Sequence, residues 1–140
     1  MTKVELASPE WMSLMRAQLM AAASNATPDT RFSVTETFTD VPPHLDRHGN
    51  GQIAWHCVIE GQQVRFGETA LAEADIKSRA DYVFILPVAR RIYTPEVMEE
   101  VAAYKASGVK QGKYLSAVRD GVQVPAFLRE VHNEMARRTL

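Results

Sequence analysis

One loop contains residues whose types and spacing could bind a metal ion. His44, Asp46 and His48 occupy alternate positions after a pair of prolines. Alternate residues of an extended segment project to the same side, so two imidazoles and a carboxylate could meet a cation. Spacing alone does not set ligand geometry, and Arg47 would place a positive charge beside the ion. We therefore interpret this segment as a solvated polar loop and expect no metal site.

A second candidate is an acidic residue inside a predicted strand. Glu36 interrupts an otherwise apolar strand face, and burial would raise its pKa towards that of a general base. His56 could exchange a proton with it, but alternation places His56 on the face opposite Trp55 and Cys57. The alternative makes Glu36 an edge-strand or rim residue paired with an arginine. We assign no catalytic residue.

Two further reactive residue types have structural interpretations. Cys57 has no visible activating group nearby in the sequence, so we expect a small buried apolar residue. His132 lies at the edge of the apolar stripe of the last predicted helix, where we expect a half-buried structural role. The P-loop, dinucleotide, zinc-protease, serine-hydrolase and kinase motifs do not occur in the sequence, and no cofactor is expected.

The composition indicates one globular domain that spans residues 1–140. The chain has 140 residues, of which 46% are apolar, with a formal net charge of −1. This charge balance argues against nucleic acid as the main partner. A single cysteine excludes an internal disulfide, and no apolar run is long enough to span a bilayer. The sequence does not begin with a signal-peptide pattern, so we expect a cytoplasmic protein.

The first half of the chain has clear helix-start and turn residues and a regular spacing of apolar residues. Ser8 and Pro9 predict the start of a helix whose apolar side chains recur at helical spacing. Strict alternation then predicts three strands, with a two-residue turn at Glu60-Gly61 between the second and the third. These strands are Arg31–Thr39, Gln52–Ile59 and Gln62–Phe66.

The second half is predicted from weaker patterns. Residues 68–79 could hold a helical turn, and the apolar run Tyr82–Val88 is typical of a covered strand that ends near Pro87. Thr94 and Pro95 predict a second helix that ends at Gly108, and Lys113–Val118 a last strand. Pro125 opens a final helix with a buried face formed by Phe127, Leu128, Val131 and Met135. Arg129, Glu130, Asn133, Glu134 and Arg137 are expected to face water.

The central hairpin and the elements after it resemble the sterol carrier protein type 2 family. The resemblance rests on residues 51–67 (GQIAWHCVIEGQQVRFG), on Ala80-Asp81 before an apolar segment, and on Gly112-Lys113 before the last strand. The order of elements matches over about residues 8–138. The resemblance implies an α+β domain with a five-stranded, mainly antiparallel sheet, helices on one face and an apolar cavity between the layers. It also implies non-catalytic binding or transfer of a sterol, a fatty acyl chain or a similar lipid.

If a methionine-rich helix and the sheet enclose a cavity, inward-facing residues of several elements should line it. The expected ligand-binding residues are Met15, Leu19, Phe32, Trp55, Phe84, Met98 and Ala102. Two alternatives remain open from the sequence. One is a small enzyme of the ketosteroid isomerase-like class that uses a buried carboxylate, and the other is an interaction domain that forms a homodimer through its apolar surplus.

Overall fold

The computed structural model describes residues 2–106 and 114–140, which contain four helices and five strands. Their order confirms the predicted α+β class. The elements are α1 (Pro9–Ala23), β1 (Arg31–Thr39), β2 (Ile53–Glu60), β3 (Gln63–Gly67), β4 (Ile76–Asp81), α2 (Tyr82–Ala89), α3 (Pro95–Ala106), β5 (Tyr114–Val118) and α4 (Phe127–Arg138).

The five strands form one mixed sheet in the order β3-β2-β1-β4-β5. The β1–β2, β2–β3 and β4–β5 pairs are antiparallel, and only β1 and β4 run parallel. A mainly antiparallel, five-stranded sheet is therefore confirmed. Strand β1 is its central strand, and its inward residues Val34, Glu36 and Phe38 have strand partners on both sides.

The inward face of the sheet carries the core. Register places Phe32, Val34, Glu36 and Phe38 of β1 opposite Ile59, Cys57, Trp55 and Ile53 of β2. All of these apolar side chains are buried except Val34, which is partly buried. They belong to one apolar cluster with side chains of α1 and α4, so the predicted orientation of Phe32, Val34, Ile53 and Trp55 towards the helices is confirmed.

Helix α1 begins where the sequence predicts. The Ser8 hydroxyl accepts a hydrogen bond from the backbone N–H of Trp11 at 3.1 Å, and Pro9 occupies the first turn. The Trp11 ring meets Phe38 edge-on at a centroid distance of 6.0 Å and Trp55 at 6.4 Å. Trp55 stacks in turn on Phe66 at 5.7 Å. This aromatic cluster fills the space between α1 and strands β1 to β3.

The prediction of a strand at Tyr82–Val88 is wrong, because these residues form α2. Asp81 ends β4 and caps the helix, since its Oδ1 accepts hydrogen bonds from the backbone N–H groups of Val83 at 3.0 Å and Phe84 at 3.4 Å. Pro87 lies inside this helix and terminates no strand. A short apolar run has no periodicity that separates a covered strand from a covered helix.

The helical turn predicted within residues 68–79 is also absent from the described structure. Residues 68–75 form a series of bends over the outer face of the sheet, and β4 follows directly. The Thr35 hydroxyl accepts a hydrogen bond from the Leu71 N–H at 3.1 Å, and Asp75 binds the backbone N–H of Ser33 at 2.8 Å. Side-chain bonds to β1 therefore hold this crossing. The predicted Gly108 helix end and Lys113 strand start lie outside the described residues.

Candidate functional site

An apolar groove of about 1080 Å³ lies between helices α2, α3 and α4 and the β4–β5 side of the sheet. Its apolar lining comes from every one of these elements and from the segment before α4. The lining residues are Ile76, Phe84, Val88, Met98, Val118, Val124, Pro125, Phe127 and Leu128. Its volume is slightly above the roughly 300–1,000 Å³ of typical small-molecule sites, which are concave and mostly apolar.

The local structure explains why this surface is apolar. Phe84 and Val88 are four residues apart on α2 and so lie on one side of that helix. Ile76 and Val118 are register partners on the inward face of β4 and β5. Val118 is 45% exposed and Val124 is 49% exposed. Large apolar side chains that are exposed together on one concave surface are typical of a binding site.

Charged groups form the rim of the groove and pair with one another. Arg91 Nη2 lies 2.6 Å from Glu100 Oε2, which joins the end of α2 to α3. Arg129 lies 3.5 Å from Glu130 on α4. Both pairs are largely exposed, so they contribute little to stability. A polar rim around an apolar interior suits a ligand that is mostly hydrocarbon.

Two residues of α4, His132 and Asn133, form hydrogen bonds with the backbone of the connection between α2 and α3. The side chain of Asn133 accepts a hydrogen bond from the Tyr93 N–H at 2.7 Å and donates one to the Tyr93 carbonyl oxygen at 3.0 Å. His132 Nε2 donates to the Arg91 carbonyl oxygen at 2.8 Å, and its ring stacks on Tyr93 at 3.8 Å. The expectation that Asn133 faces water is wrong, because Asn133 is buried. His132 has the half-buried structural position predicted for it, and it also lines the groove.

Burial of His132 changes its acid–base behaviour. Desolvation lowers the pKa of the imidazole, although the hydrogen bond to the Arg91 carbonyl opposes this effect. The carbonyl oxygen can only accept, so the proton resides on Nε2. His132 therefore acts as a neutral hydrogen-bond donor that supports the groove wall.

Glu36 lies on the inward face of the central strand, so its interpretation as an edge residue is wrong. No arginine or other cation pairs with it among the residues that the structure describes. Solvent reaches part of its side chain, but burial of the carboxyl raises its pKa to about 7, and the indole N–H of Trp55 lowers it by less. That N–H is buried and makes no hydrogen bond of standard geometry.

The other candidate reactive residues do not pair with Glu36, and two of them, His56 and Cys57, lie away from the groove. His56 lies on the outer face, where its Nδ1 is 2.6 Å from the Thr69 carbonyl oxygen, so it cannot exchange a proton with Glu36. Cys57 is fully buried, and desolvation raises the pKa of its thiol to about 12, which confirms its role as an apolar core residue. His132 is the only one of them at the groove.

The three residues of the metal hypothesis do not converge. His44 Nε2 contacts the Glu5 carboxylate, the Asp46 carboxylate accepts from the Gly51 N–H at 2.9 Å, and His48 is exposed. Within the described ranges, no three histidine, cysteine or acidic side chains are grouped as metal ligands.

The structure places the seven predicted ligand-binding residues in two different environments. Phe84 and Met98 line the groove. Met15, Leu19, Phe32 and Trp55 are buried in the apolar cluster under α1. Of Ala102 only the backbone, in α3, is described. Sequence reasoning did not assign Ile76, Val88, Val118 or Val124 to a site, although the apolar stripe of α4 did identify Phe127 and Leu128 as inward-facing.

Comparison by sequence is negative: the chain matches no protein-family model and no curated protein. Within the described residues, no helix combines the length and hydropathy needed to cross a membrane.

Comparison by structure finds similar solved folds. The crystal structure of sterol carrier protein 2 superposes with a TM-score of 0.51 at 17% identity, covering 97% of this chain and all of that one. The UbiJ-SCP2 ubiquinone synthesis protein gives a TM-score of 0.44 at 15% identity, over 93% of this chain and 91% of that one. Palmitated SCP2L2 from Aedes aegypti gives 0.42 at 13% identity, over 94% and 96%. The first of these superpositions shows that the chain has the fold of sterol carrier protein 2.

Proposed function

We propose that this protein binds or transfers a lipid or another hydrophobic small molecule, without catalysis, in the groove between α2, α3, α4 and the β4–β5 side of the sheet. The observation that supports this most strongly is the apolar groove of about 1080 Å³ with a paired, charged rim. A sterol or a fatty acyl chain is the proposed ligand, and the cytoplasm is the proposed compartment.

The size of the groove is sufficient for useful affinity. Burial of about ten methylene groups gains roughly 8 kcal/mol at about 0.8 kcal/mol each. This gain equals the free energy of binding with a Kd of about 1 μM, before the costs of association are subtracted. A longer chain or a sterol ring system would offset those costs with additional burial.

The two alternatives receive less support. An enzyme that uses Glu36 as its buried carboxylate would need a titratable partner for that residue. The candidate partner, His56, lies on the other face of the sheet. A homodimer could cover Met98 and Val118, which are 40% and 45% exposed. The groove is concave, with walls from three helices and the sheet. This shape suits a small ligand, whereas a homodimer would need a flatter, self-complementary surface.

Ligand binding is tested by native mass spectrometry of protein purified gently from its host, followed by titration with a fluorescent fatty-acyl probe. A co-purified lipid and saturable probe binding by the delipidated protein are the expected results. A doubled mass without ligand, together with no probe binding, would show that the groove is a dimer interface instead.

A matched pair of variants on β5 locates the probe. Val118→Trp fills the groove floor and should weaken probe binding at least about tenfold, whereas Leu115→Trp should leave it unchanged. The two side chains are similarly exposed, at 45% and 50%, but they lie on opposite faces of one strand. Both variants should stay within about 0.5 kcal/mol of wild-type stability, since neither site is buried. Equal effects of the two changes would place the probe outside the groove.

A further inference from the structure

A row of polar side chains crosses the inward face of the sheet at one register level. Glu36 of β1 is the direct partner of Trp55 on β2 and of Ser78 on β4, and Ser78 is the partner of Ser116 on β5. We call these four residues the polar row. The rows on either side are apolar in β1 and β4, with Val34 and Ile76 before it and Phe38 and Ala80 after it.

The polar row lies next to the floor of the groove. Ile76 and Val118, which line the groove, are each two residues from Ser78 and Ser116 on the same strands and faces. Two residues along a strand span about 7 Å. A ligand that rests on Ile76 and Val118 and extends along β4 therefore reaches Ser78 within a few carbon–carbon bonds.

The space above the row is incompletely filled. Val34 and Glu36 belong to the central strand and face the helices, yet both retain partial solvent exposure, as do Ser78 and Ser116. Trp55, at the far end of the row, is buried. The helices therefore cover the β2 end of the row and leave its β4–β5 end open, which is the side of the groove.

The hydrogen-bonding capacity of the row is only partly used. The Ser78 and Ser116 hydroxyls lie 3.3 Å apart and bond to each other, and each retains further capacity. The Trp55 N–H acts on the Glu36 carboxyl but makes no hydrogen bond of standard geometry, and no described cation pairs with Glu36. A carboxylate has several acceptor sites, so Glu36 retains capacity for a further hydrogen bond from a ligand.

We propose that Glu36 and Ser78 bind the single uncharged hydroxyl group of an otherwise apolar ligand, and that Glu36 excludes ligands whose inner end is a carboxylate. This inference rests on the proposed function of the groove. A ligand hydroxyl donates a hydrogen bond to a Glu36 carboxylate oxygen and accepts a hydrogen bond from the Ser78 hydroxyl or the Trp55 N–H.

A carboxylate at the same point would be repelled by Glu36, because like charges interact strongly in a poorly solvated site. The arginines at the rim, Arg91 and Arg129, already pair with Glu100 and Glu130, and among the described residues they provide no unpaired cation for a carboxylate that binds the other way round.

The test uses three ligands of equal chain length and one hydrocarbon probe on the delipidated full-length protein at about pH 8. The ligands are hexadecan-1-ol, hexadecanoate and hexadecylamine, and each is titrated as a competitor of diphenylhexatriene. We expect the alcohol to bind at least about tenfold more tightly than the carboxylate. Glu36→Gln should reduce that preference to about twofold by improving hexadecanoate binding. Ser78→Ala should weaken the alcohol about tenfold and leave the hydrocarbon probe unchanged.

The control variant is Glu73→Gln, which removes a carboxylate that is 89% exposed on the outer crossing and should change nothing. Binding of the hydrocarbon probe with no preference for the alcohol would overturn this proposal and leave the proposed function intact. The amine binding most tightly would overturn it in favour of a cation site. No binding of any compound, with the variants folded by circular dichroism, would refute the proposed function itself.

Discussion

The side-chain amide of Asn133 on α4 binds both backbone polar groups of Tyr93, in the connection between α2 and α3. The amide thus satisfies the backbone N–H and C=O groups of Tyr93, which in a sheet would bond to a neighbouring strand. Helices α2 and α3 form two walls of the groove. These two hydrogen bonds therefore hold the connection between the two walls against α4.

Removal of this amide should destabilise the protein and loosen the connection. We expect Asn133→Ala to lower the free energy of unfolding by about 2 kcal/mol, because two partly buried hydrogen bonds are lost. Urea unfolding measures the loss, and hydrogen exchange should show a less protected Tyr93 amide. Arg137→Ala, an exposed change on the same helix, serves as the control and should stay within about 0.5 kcal/mol of the wild type. Unchanged Tyr93 exchange in Asn133→Ala would contradict this role.

Glu36 should make stability fall as pH rises. Its pKa is about 7 in the folded protein and near 4.5 when unfolded, so the folded state holds more protons between these values. Stability is therefore greatest below about pH 4.5, declines up to about pH 7 and is then level, for this group alone. The difference corresponds to roughly 3 kcal/mol.

The comparison with Glu36→Gln isolates this contribution from that of every other group. The variant should match the wild type near pH 4.5 and exceed its free energy of unfolding by about 3 kcal/mol near pH 8, since glutamine loses no proton. Urea unfolding at a series of pH values measures both curves, with Glu73→Gln as the control. Parallel curves for the wild type and Glu36→Gln would show that the carboxyl titrates normally.

Truncation of Leu19 should mainly reduce stability, whereas truncation of Met98 should mainly reduce ligand binding, although both residues were predicted to line the ligand cavity. Leu19 is 1% exposed in the core, so Leu19→Ala should cost about 2–5 kcal/mol. Met98 is 40% exposed in the groove, so Met98→Ala should cost less than about 0.5 kcal/mol and weaken binding of a fluorescent acyl probe. Thermal unfolding and probe titration of both variants separate core from lining. A strongly destabilised Met98→Ala would place that residue in the core.

Gly67 should be coupled to His56, its register partner on β2. A Cβ added at Gly67 would lie 2.5 Å from Cε1 of the His56 ring, which is held by its bond to the Thr69 carbonyl. Gly67→Ala should therefore turn the ring, break that bond and cost about 1 kcal/mol. A double-mutant cycle by urea unfolding checks the mechanism, because the cost should disappear in a His56→Ala background. The same cost in both backgrounds would assign the effect to the backbone of β3.

The sequence by itself determined the elements whose signals are local. Ser8 and Pro9 define the start of α1, and strict alternation defines β1 and the β2–β3 hairpin, since caps and two-residue periodicity act within a few residues. The predicted Glu60-Gly61 turn is wrong by one residue, because Glu60 still pairs with Gln63 and the turn is Gly61-Gln62. The direction of the inward face follows from the same alternation. The sequence also placed His56 on the face opposite Trp55, and the structure agrees.

Only the tertiary structure decided what each inward residue contacts. Tyr82–Ala89 is a helix because β4, which ends at Asp81, occupies the place beside β1 in the sheet, and that pairing is not local to the apolar run. The Asp81 cap is a local signal that sequence reasoning did not use. Glu36 lies in the sheet centre because β1 pairs in parallel with β4, across more than forty residues of sequence. The same applies to the site. Side chains under α1, such as Leu19, pack into a filled core, whereas Phe84 and Met98 face a groove, because α1 lies close over β1 to β3 while α2, α3 and α4 leave space above β4 and β5. Hydrophobicity brings a side chain to the inside, and only the distance between the layers determines whether it fills a core or lines a cavity.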